Sequence, residues 1–190
     1  MVPISCHVWS NAGISGIRIQ RYLFYQGALN DPIITPLWQR AADLDLTVDV
    51  NAAQEEYGAV EERVRAFPKT RYILDHCGYI SPDKAPSPNT VVSAVDMVQY
   101  PNVYAKLTFV PLASNESYPF RDAHWMVREL IDAFVPERCL FGTNFPQAQY
   151  SPHVSYGEIV ALFREEIDLS PEERAWVLGG TAERLWRWGG

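Results

Sequence analysis

The chain has 190 residues, of which 47% are hydrophobic, and a formal net charge of -7 at pH 7. This length and apolar content suffice for one domain with a substantial core, and six Trp and ten Tyr argue against a disordered chain. The acidic balance, with no basic patch, argues against nucleic acid and anionic membranes as partners, and no apolar run approaches the ~20 residues of a membrane-spanning helix.

The cysteine content favours a reducing compartment. Cys6, Cys77 and Cys139 are too few and too scattered for a disulfide framework, and they lack the C-x-x-C spacing of a zinc site. The amino terminus lacks the charged start and long apolar core of a signal peptide. We therefore expect a cytoplasmic protein.

Short alternating or apolar runs predict strands along the chain. In chain order these strands cover residues 15–20, 46–51, 71–76, 102–108 and 139–143. Amphipathic stretches predict helices between and after them. The helices cover residues 31–42, 54–67, 90–99, 123–134 and 158–167, then a helix from Ser170 that ends at Gly179-Gly180, and a last short helix capped by Thr181.

The alternation of strands and helices predicts an α/β fold with a parallel sheet. The long loops follow strands, after His76, Thr108 and Asn144, whereas the connections from helix to strand are short. This arrangement gathers the loops at the carboxyl ends of the strands, where α/β proteins bind ligands. We find no domain boundary and expect a single domain over residues 1–190.

Polar side chains lie near the ends of every predicted strand. They are Arg18, Gln20, Asp49, Asn51, His76, Lys106, Thr108 and Asn144. Strand periodicity allows each to face away from its strand's aliphatic set, so in a closed or nearly closed barrel they converge inside the mouth. Buried charges without partners cost several kcal/mol, so these groups either pair with one another or hold a ligand.

Structural roles for the same residues stay open. Arg18 is a candidate to pair with Asp49, Lys106 to form a structural ion pair, and His76 to be a hydrogen-bonded core histidine. We expect Asp75, on the face opposite His76, to cap the next helix or to meet a partner in the helix layer. His124 and His153 begin helices and are expected at the surface or in capping positions.

Three segments resemble the last three strands of the amidohydrolase-related (amidohydrolase-2) TIM barrels. They are residues 72–78 (Tyr-Ile-Leu-Asp-His-Cys-Gly), 102–108 (Asn-Val-Tyr-Ala-Lys-Leu-Thr) and 139–146 (Cys-Leu-Phe-Gly-Thr-Asn-Phe-Pro). Gly16-Ile17-Arg18 resembles the family's fourth strand, and residues 180–185 resemble its closing helix. The family includes 2-pyrone-4,6-dicarboxylate lactonase-like hydrolases and carboxylate decarboxylases. The resemblance implies a TIM-barrel-like parallel (β/α) barrel.

The chain departs from the family pattern at both ends. The family's first strand carries a His-x-His pair, which this sequence lacks. Residues 5–9 are either a remnant of that strand, with His7 as a candidate metal ligand, or an unrelated segment. Because a full barrel needs ~250 residues and no room remains for two βα units before Arg18, we expect an incomplete barrel. It would contain five or six of the eight strands and lack the family's first βα units.

The second departure affects the chemistry that the resemblance implies. Asn144 stands where the family has an acid, and an amide cannot be a general base near neutral pH. A catalytic zinc site needs about three good protein ligands, so we expect no cofactor, with a divalent metal such as zinc as the alternative.

The resemblance implies a hydrolase acting on a small carboxylated lactone or ester without a full metal site. The predicted catalytic residues are His76, which would polarise the substrate carbonyl or act as base, and Asn144, which would orient a water. The predicted substrate-binding residues are Arg18, Asp49, Tyr104 and Lys106.

Two alternatives remain open. One is a decarboxylase or other lyase of the same family, and the other is a non-catalytic remnant that binds a small ligand or a partner chain. An incomplete barrel exposes sheet edges, and exposed edges invite pairing. We therefore expect a homodimer, or a partner that covers the edges.

Overall fold

The structure, a computed structural model, describes residues 13–20, 27–80, 89–147 and 152–186. Within these residues one parallel sheet carries its strands in sequential order, β1-β2-β3-β4-β5. The strands are β1 (Gly16–Gln20), β2 (Thr47–Asn51), β3 (Tyr72–Leu74), β4 (Val103–Leu107) and β5 (Cys139–Phe141). Sequential parallel order is that of a (β/α) barrel, and over the described residues the barrel is open. The predicted α/β class and parallel sheet are confirmed.

Helices follow the strands as predicted. They are α1 (Thr35–Asp43), α2 (Tyr57–Ala66), α3 (Asn89–Asp96), α4 (Val110–Ala113), α5 (His124–Phe134), α6 (Tyr156–Ala161), α7 (Pro171–Ala175) and α8 (Thr181–Trp186). The short helix α4 lies at the start of a stretch predicted as loop. Of the described helices, none combines the length and apolar character needed to cross a bilayer.

The outer face of the sheet forms the main core with the helices. Strand register aligns Val48 with Tyr72, and Tyr72 with Val103, and all three are buried. Helices α2 and α5 contribute buried residues to the same core, among them Val60 and Leu130. Burial of this apolar surface is the main source of stability, and it fixes which face of each strand points inward.

The inner face is divided between charged and apolar residues. Ile73 pairs in register with Asp49 on one side and with Tyr104 on the other. A second apolar cluster lies on this face, with Ile73, Leu140 and Leu185 buried and Tyr104, Ala182 and Trp186 packed against them. Helix α8 therefore covers the inner face below the strand ends.

The prediction that a helix ends at Gly179-Gly180 is wrong. Trp176–Gly180 is a π-helical segment between α7 and α8, and Thr181 continues it with helical backbone angles (φ -64, ψ -41). A Cβ at Gly180 would lie 2.9 Å from Cε3 of Trp176. Gly180 thus permits close contact inside a wide helical turn instead of stopping the helix.

Replacing Leu185 by Ala should lower the free energy of unfolding by about 2–3 kcal/mol, because it removes a buried side chain from between α8 and the inner face. The matched control is Ile33→Ala, at a side chain that is 72% exposed, which should change stability by less than about 0.5 kcal/mol. Urea unfolding measures the free energy of unfolding of both variants. Equal losses in the two variants would contradict the packing of α8 against the sheet.

Candidate functional site

Polar side chains from four neighbouring strands meet at the carboxyl ends of the sheet. We call this group, which comprises Arg18, Asp49, Asn51, Asp75, His76 and Lys106, the strand-end cluster. Its centre is the Asp75 carboxylate, whose side chain is 1% exposed. The Arg18 guanidinium pairs with that carboxylate, Asn51 Nδ2 donates to Oδ2 at 3.0 Å, and Lys106 Nζ lies 3.0 Å from Oδ1. Asp75 thereby ties β1, β2 and β4 to the end of β3.

Lys106 bridges two carboxylates. Its Nζ donates to Asp49 Oδ2 at 2.9 Å in addition to its ion pair with Asp75. Asp49 Oδ1 is buried and has no hydrogen-bond partner among the described residues. Arg18 and Asp49 are register partners on adjacent strands, but the Arg18 ion pair recorded among the described residues is with Asp75.

The prediction that Asp75 faces the helix layer is wrong. Strand β3 is apolar and buried on both faces, because Tyr72, Ile73 and Leu74 are all buried. Alternation of polar and apolar residues therefore does not show which of its faces points into the barrel. Register settles it, because Ile73 aligns with the inward residues Asp49 and Tyr104. Asp75, two residues further, continues on that inner face.

A left-handed turn after Asp75 places the histidine. His76, Cys77, Gly78 and Tyr79 have φ values of 52, 47, 79 and 57, respectively. Left-handed backbone costs roughly 1–2 kcal/mol at each residue other than Gly, so surrounding contacts must hold the turn. One such contact is Cys77 Sγ, which donates to the Lys106 carbonyl at 3.5 Å.

The turn folds the His76 ring back against Asp75. His76 Nε2 lies 3.4 Å from Asp75 Oδ2, and Nδ1 lies 2.7 Å from Thr108 Oγ1. The Tyr79 ring stacks on the imidazole with centroids 5.1 Å apart, and its hydroxyl donates to Asn51 Oδ1 at 2.7 Å. Sequence reasoning gave Tyr79 no role. No local pattern marks it, because its contact depends on the left-handed turn.

The pKa values of Asp75 and Asp49, the two carboxylates paired with Lys106, shift in opposite directions. Burial acts to raise the pKa of Asp75, but the charges of Lys106, His76 and Arg18 outweigh it and hold the pKa below its ordinary value. Burial also raises the pKa of Asp49, and there the opposing Lys106 charge does not overcome it. Asp75 is therefore ionised at neutral pH, and Asp49 is the more easily protonated of the two.

The pKa values of Lys106 and His76 also shift in opposite directions. Burial acts to lower the pKa of Lys106, but Asp49 and Asp75 outweigh it and raise the pKa. Burial lowers the pKa of His76, against the attraction of Asp75. At neutral pH the structure therefore combines a charged Lys106 with a neutral imidazole.

The remaining predicted site residues lie in different places. Asn144, with φ 51, follows β5. Gly142 lies beside the cluster, because a Cβ there would lie 3.7 Å from Lys106 Cε and 2.6 Å from Thr108 Cγ2. Tyr104 lies in the second apolar cluster on the inner face, in register with Ile73 and two residues before Lys106 along β4. His7 lies outside the described residues. The catalytic roles of His76 and Asn144 and the substrate-binding roles stay predictions.

The donor set of the cluster does not fit a metal cation. Within the described ranges, no group of three or more His, Cys, Asp and Glu side chains is arranged to hold a metal ion. The carboxylates of Asp75 and Asp49 are already paired with Arg18 and Lys106, whose positive charges repel a cation. The two cations favour an anion over a cation as a ligand of this cluster.

Replacing Gly78 by Ala should destabilise the protein by at least about 1–2 kcal/mol, because φ is 79 there and an added Cβ would lie 2.6 Å from Gln54 Cγ. The matched control is Gly58→Ala in α2, where an added Cβ meets nothing within 4 Å. The control should stabilise by about 0.5–1 kcal/mol. Thermal unfolding of both variants checks the prediction, and a tolerated Gly78→Ala would show that the turn adapts freely.

The chain is similar in sequence to a curated lactonase. It is 25% identical over 162 residues to an L-fucono-1,5-lactonase of Burkholderia ambifaria, a match covering 84% of this chain and 56% of the relative. The chain thus spans little more than half the length of that curated relative.

Solved structures share the fold. A Pseudomonas putida structure assigned as a 2-pyrone-4,6-dicarboxylic acid hydrolase superposes with a TM-score of 0.84 at 17% identity, covering 100% of this chain and 69% of that one. A Burkholderia multivorans amidohydrolase with bound zinc superposes with a TM-score of 0.79 at 21% identity, covering 96% and 69%. These likenesses confirm the TIM-barrel fold.

The family assignment comes from a family model. The model of the amidohydrolase family Amidohydro_2 matches residues 7–188, nearly the whole chain. The predicted resemblance, based on the strand motifs and their order, is confirmed. The chain belongs to the amidohydrolase family Amidohydro_2.

Proposed function

We propose that this chain hydrolyses a small carboxylated lactone or a related ester. The observation that carries the proposal is the pair of cations at the mouth of the sheet. The Arg18 and Lys106 side chains are 44% and 27% exposed, whereas their shared partner Asp75 is buried. The lactonase relative and the structure assigned as a dicarboxylic acid hydrolase support this substrate class. Because the chain spans 56% of the lactonase relative, the whole activity is proposed by analogy.

Arg18 is suited to bind the substrate carboxylate. A guanidinium offers planar donors that match a carboxylate in a bidentate arrangement. The ion pair with Asp75 limits the rotamers of the Arg18 side chain before the substrate binds. Preorganisation of this kind reduces the entropy that binding costs.

Lys106 is suited to stabilise the reaction. When water attacks the lactone carbonyl, negative charge develops on the carbonyl oxygen, and a fixed ammonium in a partly buried site stabilises that charge. Lys106 is charged at neutral pH because the two carboxylates raise its pKa. Of the predicted catalytic roles, this proposal keeps Asn144 as the residue that orients the attacking water and the neutral His76 as a candidate to polarise the carbonyl.

Two other functions share the site. A decarboxylase or lyase of the same family would bind its substrate carboxylate through the same cations. A non-catalytic chain that binds a small ligand or partner is favoured by one observation: among the described residues the cluster balances two carboxylates against Arg18 and Lys106. Such a balance is also expected of a purely structural network.

Purified protein should open the ring of carboxylated lactones, and the acid released by hydrolysis measures the rate. Arg18→Met should lower kcat/KM for these substrates roughly 10- to 100-fold, the value of a charge-assisted hydrogen bond, and should affect uncharged lactones much less. Arg121→Met is the matched control, because Arg121 is exposed and pairs with Glu166. Release of carbon dioxide would favour the decarboxylase, and binding without turnover would favour the non-catalytic chain.

The edges of the sheet motivate a proposal on assembly. In the described part of the chain, β1 pairs with β2 alone and β5 with β4 alone. Unpaired strand edges favour association, so we propose a homodimer or a partner chain that covers them. The buried thiols of Cys77 and Cys139 are free, which agrees with the proposed cytoplasmic location.

Light scattering should give a mass of about twice the 21.6 kDa of the chain, as expected when two copies cover each other's sheet edges. The mass should stay constant upon dilution through the micromolar range. A stable monomer that needs no partner would contradict the proposal.

A further inference from the structure

We propose that Asp49 transfers the proton in lactone hydrolysis. This inference rests on the proposed function and assigns a catalytic residue within the same site. Hydrolysis needs a group that takes a proton from water and returns it to the leaving oxygen. Asn144, at the end of β5, cannot do this, because an amide does not titrate near neutral pH.

Asp75 is unsuited to this task because it is held as an anion. Its side chain is 1% exposed and contacts Arg18, Lys106 and Asn51. Proton uptake would remove the charge on which these contacts depend. Asp75 therefore positions the two cations and does not exchange protons with a substrate.

His76 is unsuited because both ring nitrogens are engaged. Nδ1 lies 2.7 Å from Thr108 Oγ1, and Nε2 lies 3.4 Å from Asp75 Oδ2. Tyr79 stacks on the ring, and the residue is buried. A base must lie within hydrogen-bond reach of the proton that it takes, and here that space is occupied by protein groups.

The Asp49 side chain is less enclosed by protein groups than those of Asp75 and His76. Its side chain is 21% exposed, and its Oδ2 accepts a hydrogen bond from Lys106 Nζ at 2.9 Å. Its Oδ1 has no hydrogen-bond partner within the part of the chain that the structure describes. An unpartnered carboxylate oxygen is costly to bury, and it gains most by accepting a hydrogen bond from water or by taking up a proton.

The surroundings of Asp49 favour proton uptake. The charged groups that face it are Lys106 from β4, Asp75 from the end of β3 and Arg18 from β1. Burial and the Asp75 charge raise the pKa of Asp49, against the two cations. Acid–base sites recurrently contain two carboxylates whose pKa values their surroundings push apart, and Asp49 and Asp75 form such a pair on one lysine.

The step balances without a further reactant. Water attacks the lactone carbonyl carbon while Asp49 takes one of its protons, which gives a tetrahedral intermediate whose oxyanion lies near Lys106. The bond from that carbon to the ring oxygen then breaks, and Asp49 returns the proton to the leaving oxygen. The product is a hydroxy acid, and Asp49 is again a carboxylate.

The test is the pH dependence of hydrolysis of a carboxylated lactone by the full chain. The wild-type kcat/KM should fall as the pH is lowered through the pKa of Asp49, because a protonated carboxyl cannot take a proton. Asp49→Asn should lower kcat by about 100-fold or more, leave KM nearly unchanged and remove this acidic limb. Asp49→Glu should recover part of kcat, and the fall of its kcat/KM toward low pH should lie at a different pH from that of the wild type. The matched control is Asp45→Asn, at an exposed residue paired with Arg71, which should keep wild-type kinetics.

The outcomes separate this inference from the proposed function. Wild-type protein that opens no lactone overturns both. Active wild type with an unchanged acidic limb in Asp49→Asn overturns the assignment of Asp49 alone. If Asp49→Asn does not fold, as judged by circular dichroism, the Glu variant decides, because a wild-type limb position and kcat in Asp49→Glu would also overturn the assignment.

Discussion

The buried carboxylate of Asp75 is the interaction on which the mouth of this sheet depends. It joins Arg18 on β1, Asn51 on β2 and Lys106 on β4 to the end of β3. A buried charge is tolerated only when it is paired and hydrogen-bonded, and removal of one partner typically costs 3–5 kcal/mol. The geometry of the mouth therefore follows from the need to satisfy one anion, and the Arg18 and Lys106 side chains stay partly exposed there.

The inner face of the open barrel is closed at one end and polar at the other. Helix α8 places Leu185 against Ile73 and Leu140, which removes apolar inner surface from water. Along β3 the charged Asp75 follows Ile73 by two residues, and along β4 the charged Lys106 follows Tyr104 by two residues. Because charged groups prefer the solvated end of a sheet, this division leaves the charged side chains at the carboxyl ends, where (β/α) barrels bind their ligands.

The strands, their order and their family were predictable because they depend on local patterns, such as the alternation in β1, β2 and β4. The role of Asp75 was not predictable, because β3 is apolar on both faces and only its pairing with β2 and β4 reveals the inner side. The left-handed run from His76 to Tyr79 carries one glycine, so composition gave little sign of it. The prediction that a helix ends at Gly180 is wrong because glycine occurs at helix ends more often than in close contact with a Trp ring.

We propose that the strand-end cluster binds an anion through Arg18 and Lys106 and does not hold a metal through its carboxylates. A crystal structure grown with both zinc and a dicarboxylate that mimics the ring-opened product tests this claim most directly. We expect a ligand carboxylate on the Arg18 guanidinium, with Asp49 and Asp75 still paired to Lys106. Zinc bound by Asp75 and His76, with Lys106 displaced, would contradict it.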